Sequence, residues 1–176
     1  MSPSAEAAPA LVDVTEEVLE QLLCLAVRDA DADEVTPPLG GAGWTPERIS
    51  WFREYHRAAA AGLDGPARRR SWAISCGGTL AGAVRLQRTG RSPMTYPSLE
   101  TGIWLARGFR GRGIGTEALR LVKTQAAAYG ATLLEAQTTA GNAAALALLR
   151  SAGAELGFEA APSGAAPAVT ARLPLR

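Results

Sequence analysis

Histidine occurs once in this 176-residue sequence, at His56; cysteine occurs twice, at Cys24 and Cys76, and lysine once, at Lys123. A metal site built from several imidazoles is therefore excluded, and two cysteines cannot complete a structural zinc site. A serine or cysteine hydrolase relay would have to run through His56, in Trp51-Phe-Arg-Glu-Tyr-His-Arg57, and no G-x-S-x-G elbow accompanies it. The cysteines lie far apart in apolar contexts, and we expect reduced, packed residues of a cytoplasmic protein. No apolar run approaches membrane-spanning length, and the Ser/Pro/Ala-rich start has neither the charged nor the apolar region of a signal peptide. A formal net charge of +1 gives no reason to expect nucleic acid or an anionic membrane as main partner.

What is present reads as one domain. Residues 1–9 form an expected disordered leader, and residues 10–176 a single domain long enough for a substantial core. Leu11 to Val14 is a short strand. Thr15 caps a helix whose apolar face is Val18, Leu19, Leu22, Leu23, Leu25 and Ala26. Residues 28–43 read as a loop, acidic at Asp29, Asp31, Asp33 and Glu34. Thr45-Pro46 opens a second helix running to about Ala61. Two runs, 71–76 and 79–86, joined by Gly77-Gly78, form a tight hairpin. After a loop at 89–97, Ser98 to Leu105 is a fourth strand. A helix burying Leu119, Val122, Ala126 and Tyr129 ends at Gly130, and 132–138 returns as a strand. A helix over 142–152 and two weak strands, near 154–159 and 168–173, complete an α+β fold with a mixed sheet flanked by helices.

Between the fourth strand and the following helix lies Arg107-Gly-Phe-Arg-Gly-Arg-Gly-Ile-Gly-Thr-Glu-Ala118. Gly111, Gly113 and Gly115 allow positive φ and close backbone approach to a ligand. Amides at a helix start, with Arg107, Arg110 and Arg112 around them, suit a phosphate or pyrophosphate. A P-loop is excluded, because Lys123 sits two turns into the helix. A disordered Arg-Gly tail is excluded by the flanking strand and helix. Gly113-Ile-Gly115-Thr-Glu-Ala118 also fits the G-x-G-x-x-A dinucleotide form, with Glu135 twenty residues beyond Gly115. That fingerprint normally opens its unit and needs no flanking arginines.

Arg110-Gly-Arg-Gly113-Ile-Gly115 resembles the pyrophosphate loop (R/Q-x-x-G-x-G/A) of the GNAT superfamily of N-acetyltransferases. Leu99-Glu-Thr-Gly-Ile-Trp-Leu105 is similar to the fourth-strand motif of the branch that resembles ribosomal-protein N-terminal acetyltransferases, the RimJ/RimL-like proteins. Asn142-Ala-Ala-Ala-Leu-Ala-Leu-Leu-Arg-Ser-Ala-Gly153 resembles a later helix of the same families. The resemblance implies a mixed, mostly antiparallel sheet of six to seven strands with about four helices, splayed at strands 4 and 5. It implies acetyl-CoA as cosubstrate, no metal, and direct attack by a primary amine in a ternary complex. The coenzyme would be held by Ile103, Trp104, Leu105, Arg110, Gly111, Arg112, Gly113, Ile114, Gly115, Thr116 and Asn142.

Gly102 inside a strand marks a bulge or a close approach. Alternation places Glu100 on the face of Gly102 and Trp104, and the strand match makes it the candidate general base; an exposed strand glutamate is the plainer alternative. Many relatives carry a tyrosine seven residues after the motif asparagine, where this chain has Leu149. Tyr55 and Tyr96 are then open as proton donors. A non-catalytic coenzyme A-binding module and a dinucleotide-binding oxidoreductase are the competing readings. The acceptor is expected to be a peptide N-terminus or a small-molecule amine, drawn in by the acidic run, and the oligomeric state is open between monomer and homodimer.

Overall fold

A computed structural model describes residues 7–90, 97–160, 164 and 166–175. Most of the expected leader, and Tyr96, lie outside the described residues.

Strand β1 (Ala10–Asp13) leads into helix α1 (Glu16–Asp29), where the Thr15 side chain accepts a hydrogen bond from Val18 N at 3.2 Å. Five α1 residues, Leu19, Leu22, Leu23, Leu25 and Ala26, are buried. Cys24 falls between them in sequence, but the helical turn points it to solvent. The expectation of two packed cysteines is corrected for Cys24, while Cys76 is half-buried and packs against the core. Within the acidic run, Asp31 caps a single-turn helix α2 (Ala32–Val35), accepting from Asp33 N at 3.0 Å where a loop was expected. Thr45 and Pro46 start helix α3 (Pro46–Ala59) as predicted.

Strands β2 (Arg69–Cys76) and β3 (Thr79–Arg88) form the expected hairpin, followed by β4 (Ser98–Leu105), a 3₁₀ turn at Arg107–Phe109 and helix α4 (Ile114–Ala128). Then come β5 (Leu133–Thr139), helix α5 (Ala143–Ser151), β6 (Glu155–Phe158) and β7 (Ala168–Pro174). The seven strands lie in the order β1-β2-β3-β4-β5-β7-β6. Only β4 and β5 are parallel, joined by the α4 crossover; every other pair is antiparallel. One parallel pair in an antiparallel sheet is unlike the parallel sheet of a dinucleotide-binding fold.

Both faces of the sheet carry core. Trp72, Ile74, Val84, Leu86 and Leu99 pack with Leu119 and Val122 of α4. On the opposite face, Ala73 and Ala83 meet Leu19, Leu22 and Leu23 of α1 and Phe52 of α3. Burying a side chain such as Leu22 or Phe52 contributes about 1.5–3 kcal/mol. Tyr129, expected in this core, is exposed: it is the C-cap of α4, where the backbone has already left the helical phase.

β3 and β4 touch so closely at Gly82 that a Cβ there would lie 2.0 Å from the Trp104 carbonyl oxygen. Their register runs unbroken from Gly82↔Leu105 to Arg88↔Leu99, so no bulge interrupts that ladder at Gly102. β4 and β5, by contrast, pair only from Ser98↔Leu133 to Thr101↔Ala136. Beyond Thr101 the two strands diverge. The expected splay is present, opened by divergence of the parallel pair rather than by a bulge in the β3–β4 ladder.

Candidate active site

A cleft of about 500 Å³ opens where β4 leaves β5. One side is made by Gln137, Thr138, Asn142, Ala145, Leu148 and Leu149 from β5 and α5. Across it stand Trp51, Phe52, Tyr55 and His56 of α3, with Ser71 of β2, Arg85 and Gln87 of β3 and the chain from Thr101 to Trp104. The segment Glu34–Pro37 closes one end. Four sequence candidates, Tyr55, Ile103, Trp104 and Asn142, therefore share one cavity.

Next to the cleft, α4 begins without help. Among the described α-helices, α1, α2, α3 and α5 each start with a side-chain cap, whereas the α4 N-cap is Gly113, which has none to offer. Gly111 and Gly113 have φ of 75° and 78°, and a Cβ at either would meet nothing within 4 Å. The loop surface is thus open and its first helical amides are free of side-chain competition. Gly115 differs from the expectation for all three glycines: its φ is not positive, and a Cβ there would make ordinary contact with Leu105 and Leu148. Ile114 is buried under the loop, while Thr116 is exposed. The Arg112 guanidinium lies over the Phe109 ring at 5.5 Å. Arg110 donates through Nε to Leu105 O at 3.0 Å and through Nη2 to Glu34 Oε2 at 2.7 Å.

The acidic run is spent on bracing. Asp29 accepts from Gly108 N at 2.9 Å, Asp31 caps α2, and Asp33 meets the buried Arg48 at 2.7 Å. Glu34 alone lines the cleft, and it is paired with Arg110. The expectation that these carboxylates draw in a cationic acceptor is corrected accordingly.

Glu100 shares a sheet face with Gly102, as the alternation predicts, and its Oε1 accepts from Arg85 Nη2 at 3.1 Å. The Arg85 guanidinium lies directly over Gly102, where a Cβ would approach its Nε to 3.0 Å. Arg85, not Glu100, forms the cleft wall. Asn142 caps α5 through Oδ1, 3.1 Å from Ala145 N, and also faces the cleft. His56 places Nδ1 2.8 Å from Ser71 Oγ, and burial pushes its pKa down to about 4, so the ring is neutral at physiological pH.

Sequence reasoning did not single out Ser71, Arg85 or Gln87. Their common signal was alternation: Ser71 faces Arg85, which faces Gly102, across β2, β3 and β4, two positions along from Gln87 and Glu100. The i, i+4 spacing of Trp51 and Tyr55 likewise gave one helix face, where the rings stack at 4.8 Å.

A splayed parallel pair, with an uncapped glycine-led helix beside the gap, matches what residues 11–155 show by comparison with known families: they fit the acetyltransferase (GNAT) domain. The chain belongs to the GNAT acetyltransferase family. Among curated proteins, none matches the sequence significantly. Solved structures share the fold. RimL, a ribosomal L7/L12 alpha-N-protein acetyltransferase in complex with coenzyme A, superposes with a TM-score of 0.75 at 18% identity, covering 96% of this chain and 94% of that one. Mycobacterium smegmatis RimJ in complex with a coenzyme A disulfide gives 0.74 at 19%, covering 96% and 82%. An acetyltransferase from Salmonella typhimurium that modifies the N-terminal serine of ribosomal protein L7/L12 gives 0.70 at 17%, covering 96% of each chain. Leu149, the position seven residues after Asn142, is buried at the cleft wall.

Proposed function

We propose that this chain transfers an acetyl group from acetyl-CoA to a primary amine, a protein N-terminus or a small molecule, by direct attack within a ternary complex. The observation that carries the reading is the uncapped start of α4 beside the gap between β4 and β5. Amides of Ile114, Gly115 and Thr116, with Gly111, Arg110 and Arg112, would receive the pyrophosphate. The pantetheine arm would then run along Ile103, Trp104 and Leu105, whose outward backbone groups lack a β5 partner, with Asn142 on the other bank. A strand amide there is positioned to polarise the thioester oxygen. No cysteine lines the cleft among the described residues, which favours direct attack over a cysteine acyl-enzyme. Similarity to structures whose names specify an N-terminal acceptor favours a peptide over a small amine.

The test is calorimetry with coenzyme A and NAD, followed by thiol release from acetyl-CoA with N-terminal peptides, polyamines and amino acids. Coenzyme A should bind, and Gly113→Val should abolish binding, because a β-branched residue at φ 78° distorts the loop. Binding of NAD in place of coenzyme A would overturn the reading. Leu149 gives the non-catalytic alternative its one specific support; that module would bind coenzyme A yet release no thiol with any amine.

A further inference from the structure

We propose that the Tyr55 hydroxyl, an unpartnered phenol enclosed at the wall of the cleft, protonates the departing coenzyme A thiolate. The proposal rests on the acetyl-transfer reading above and assigns it the proton donor that Leu149 cannot be.

Tyr55 is held rigidly. Its ring stacks on Trp51 at 4.8 Å, the Arg69 guanidinium carbon lies 4.0 Å from its centroid, and His56 packs edge-on at 5.4 Å. Yet the hydroxyl so carefully placed is buried with no hydrogen-bond partner. A buried polar group without a partner works against folding, and a phenylalanine of the same shape would avoid the penalty. The tyrosine lines the same cavity as Gly102 and Ile103, where β4 opens to admit a ligand.

Other donors around the cavity are disqualified one by one. Ser71 is bonded to His56, and the His56 ring is neutral. Thr101 donates to Arg85 O at 2.9 Å, and Thr36 to Ala32 O at 3.0 Å. Glu34 is paired with Arg110. Arg85 does not give up its proton in proteins. Of these groups, the phenol is the one that combines a transferable proton with a hydrogen-bonding atom that has no partner among the described residues.

The groups around it suit both halves of the step. Burial raises the phenol above its usual range, so it arrives protonated at neutral pH. Arg85 of β3 and Arg69 of β2 act in the opposite sense and favour the phenolate, against the smaller opposing charge of Glu100 on β4. The amine nitrogen attacks the thioester carbonyl, the C–N bond forms and the C–S bond breaks, and sulfur takes the phenolic proton. The phenolate recovers a proton from the one shed by nitrogen, through water, so the residue is regenerated.

Tyr55→Phe tests this directly, because no structural hydrogen bond is removed. Its melting temperature should equal or exceed that of the parent, and coenzyme A affinity should stay within about twofold. We expect kcat to fall by roughly 10²-fold or more, with little change in KM for acetyl-CoA. Tyr129→Phe, at the exposed end of α4, should leave kcat unchanged. Full activity in Tyr55→Phe would overturn this assignment and leave the acetyl-transfer reading standing. So would a loss confined to Tyr96→Phe. If the parent binds coenzyme A but releases thiol with no amine, both readings fall together.

Discussion

His56 packs against Phe52 at 4.6 Å between ring centres, and its pKa of about 4 has burial as its main cause and the nearby Arg69 as a smaller one. The unfolded chain protonates this ring near its ordinary value of 6.5, while the folded chain resists until about 4. Stability from this residue is therefore complete above 6.5 and is lost as pH falls through that window. Between pH 7 and 5 the loss is about 2 kcal/mol. His56→Gln keeps a partner for Ser71 but cannot titrate, so urea melts of that variant should show a much smaller drop between pH 7 and 5. An undiminished drop would mean other groups dominate. Glu100 offers a second residue-level check. If it removes the amine proton through water, Glu100→Gln should lower kcat by roughly 10²–10⁴ with coenzyme A affinity retained. A pH–rate profile identical to the parent would reduce Glu100 to a partner of Arg85.

At the scale of elements, the short helix α2 and the loop before α4 are clasped together. Glu34 holds Arg110, and Asp29 receives the Gly108 amide. A pyrophosphate drawing on Arg110 must compete with Glu34. Glu34→Gln should thus tighten coenzyme A binding by roughly two- to fivefold, the range for an exposed ion pair of about 0.3–1 kcal/mol. Unchanged or weaker binding in calorimetry would show that Arg110 serves the protein rather than the ligand. This clasp also marks where reading the sequence stopped. The glycine loop, the hairpin and the caps Thr15, Thr45 and Asn142 are local devices, carried by adjacent residues, and they were legible. The destination of Asp29 and Glu34 depends on contacts across 79 and 76 positions, which no local pattern records. For the same reason an acidic run that looked like an attractant became a set of braces. The Arg85–Glu100 pair, 15 positions apart, became visible only once β3 and β4 were in register.

For the whole molecule, order along the sheet was legible up to the crossover, because a hairpin followed by a strand–helix–strand unit has few arrangements. The insertion of β7 between β5 and β6 was not, since two weak strands carry no signal of which one pairs inward. That insertion has a consequence for how the molecule holds together. β1–β4 form one block and β5, β7 and β6 another, and the ladder between them is four residue pairs long, from Ser98↔Leu133 to Thr101↔Ala136. The cleft is therefore also a seam. A ligand bonded to both banks would act as a rivet, and the protein would be mechanically stiffest while loaded.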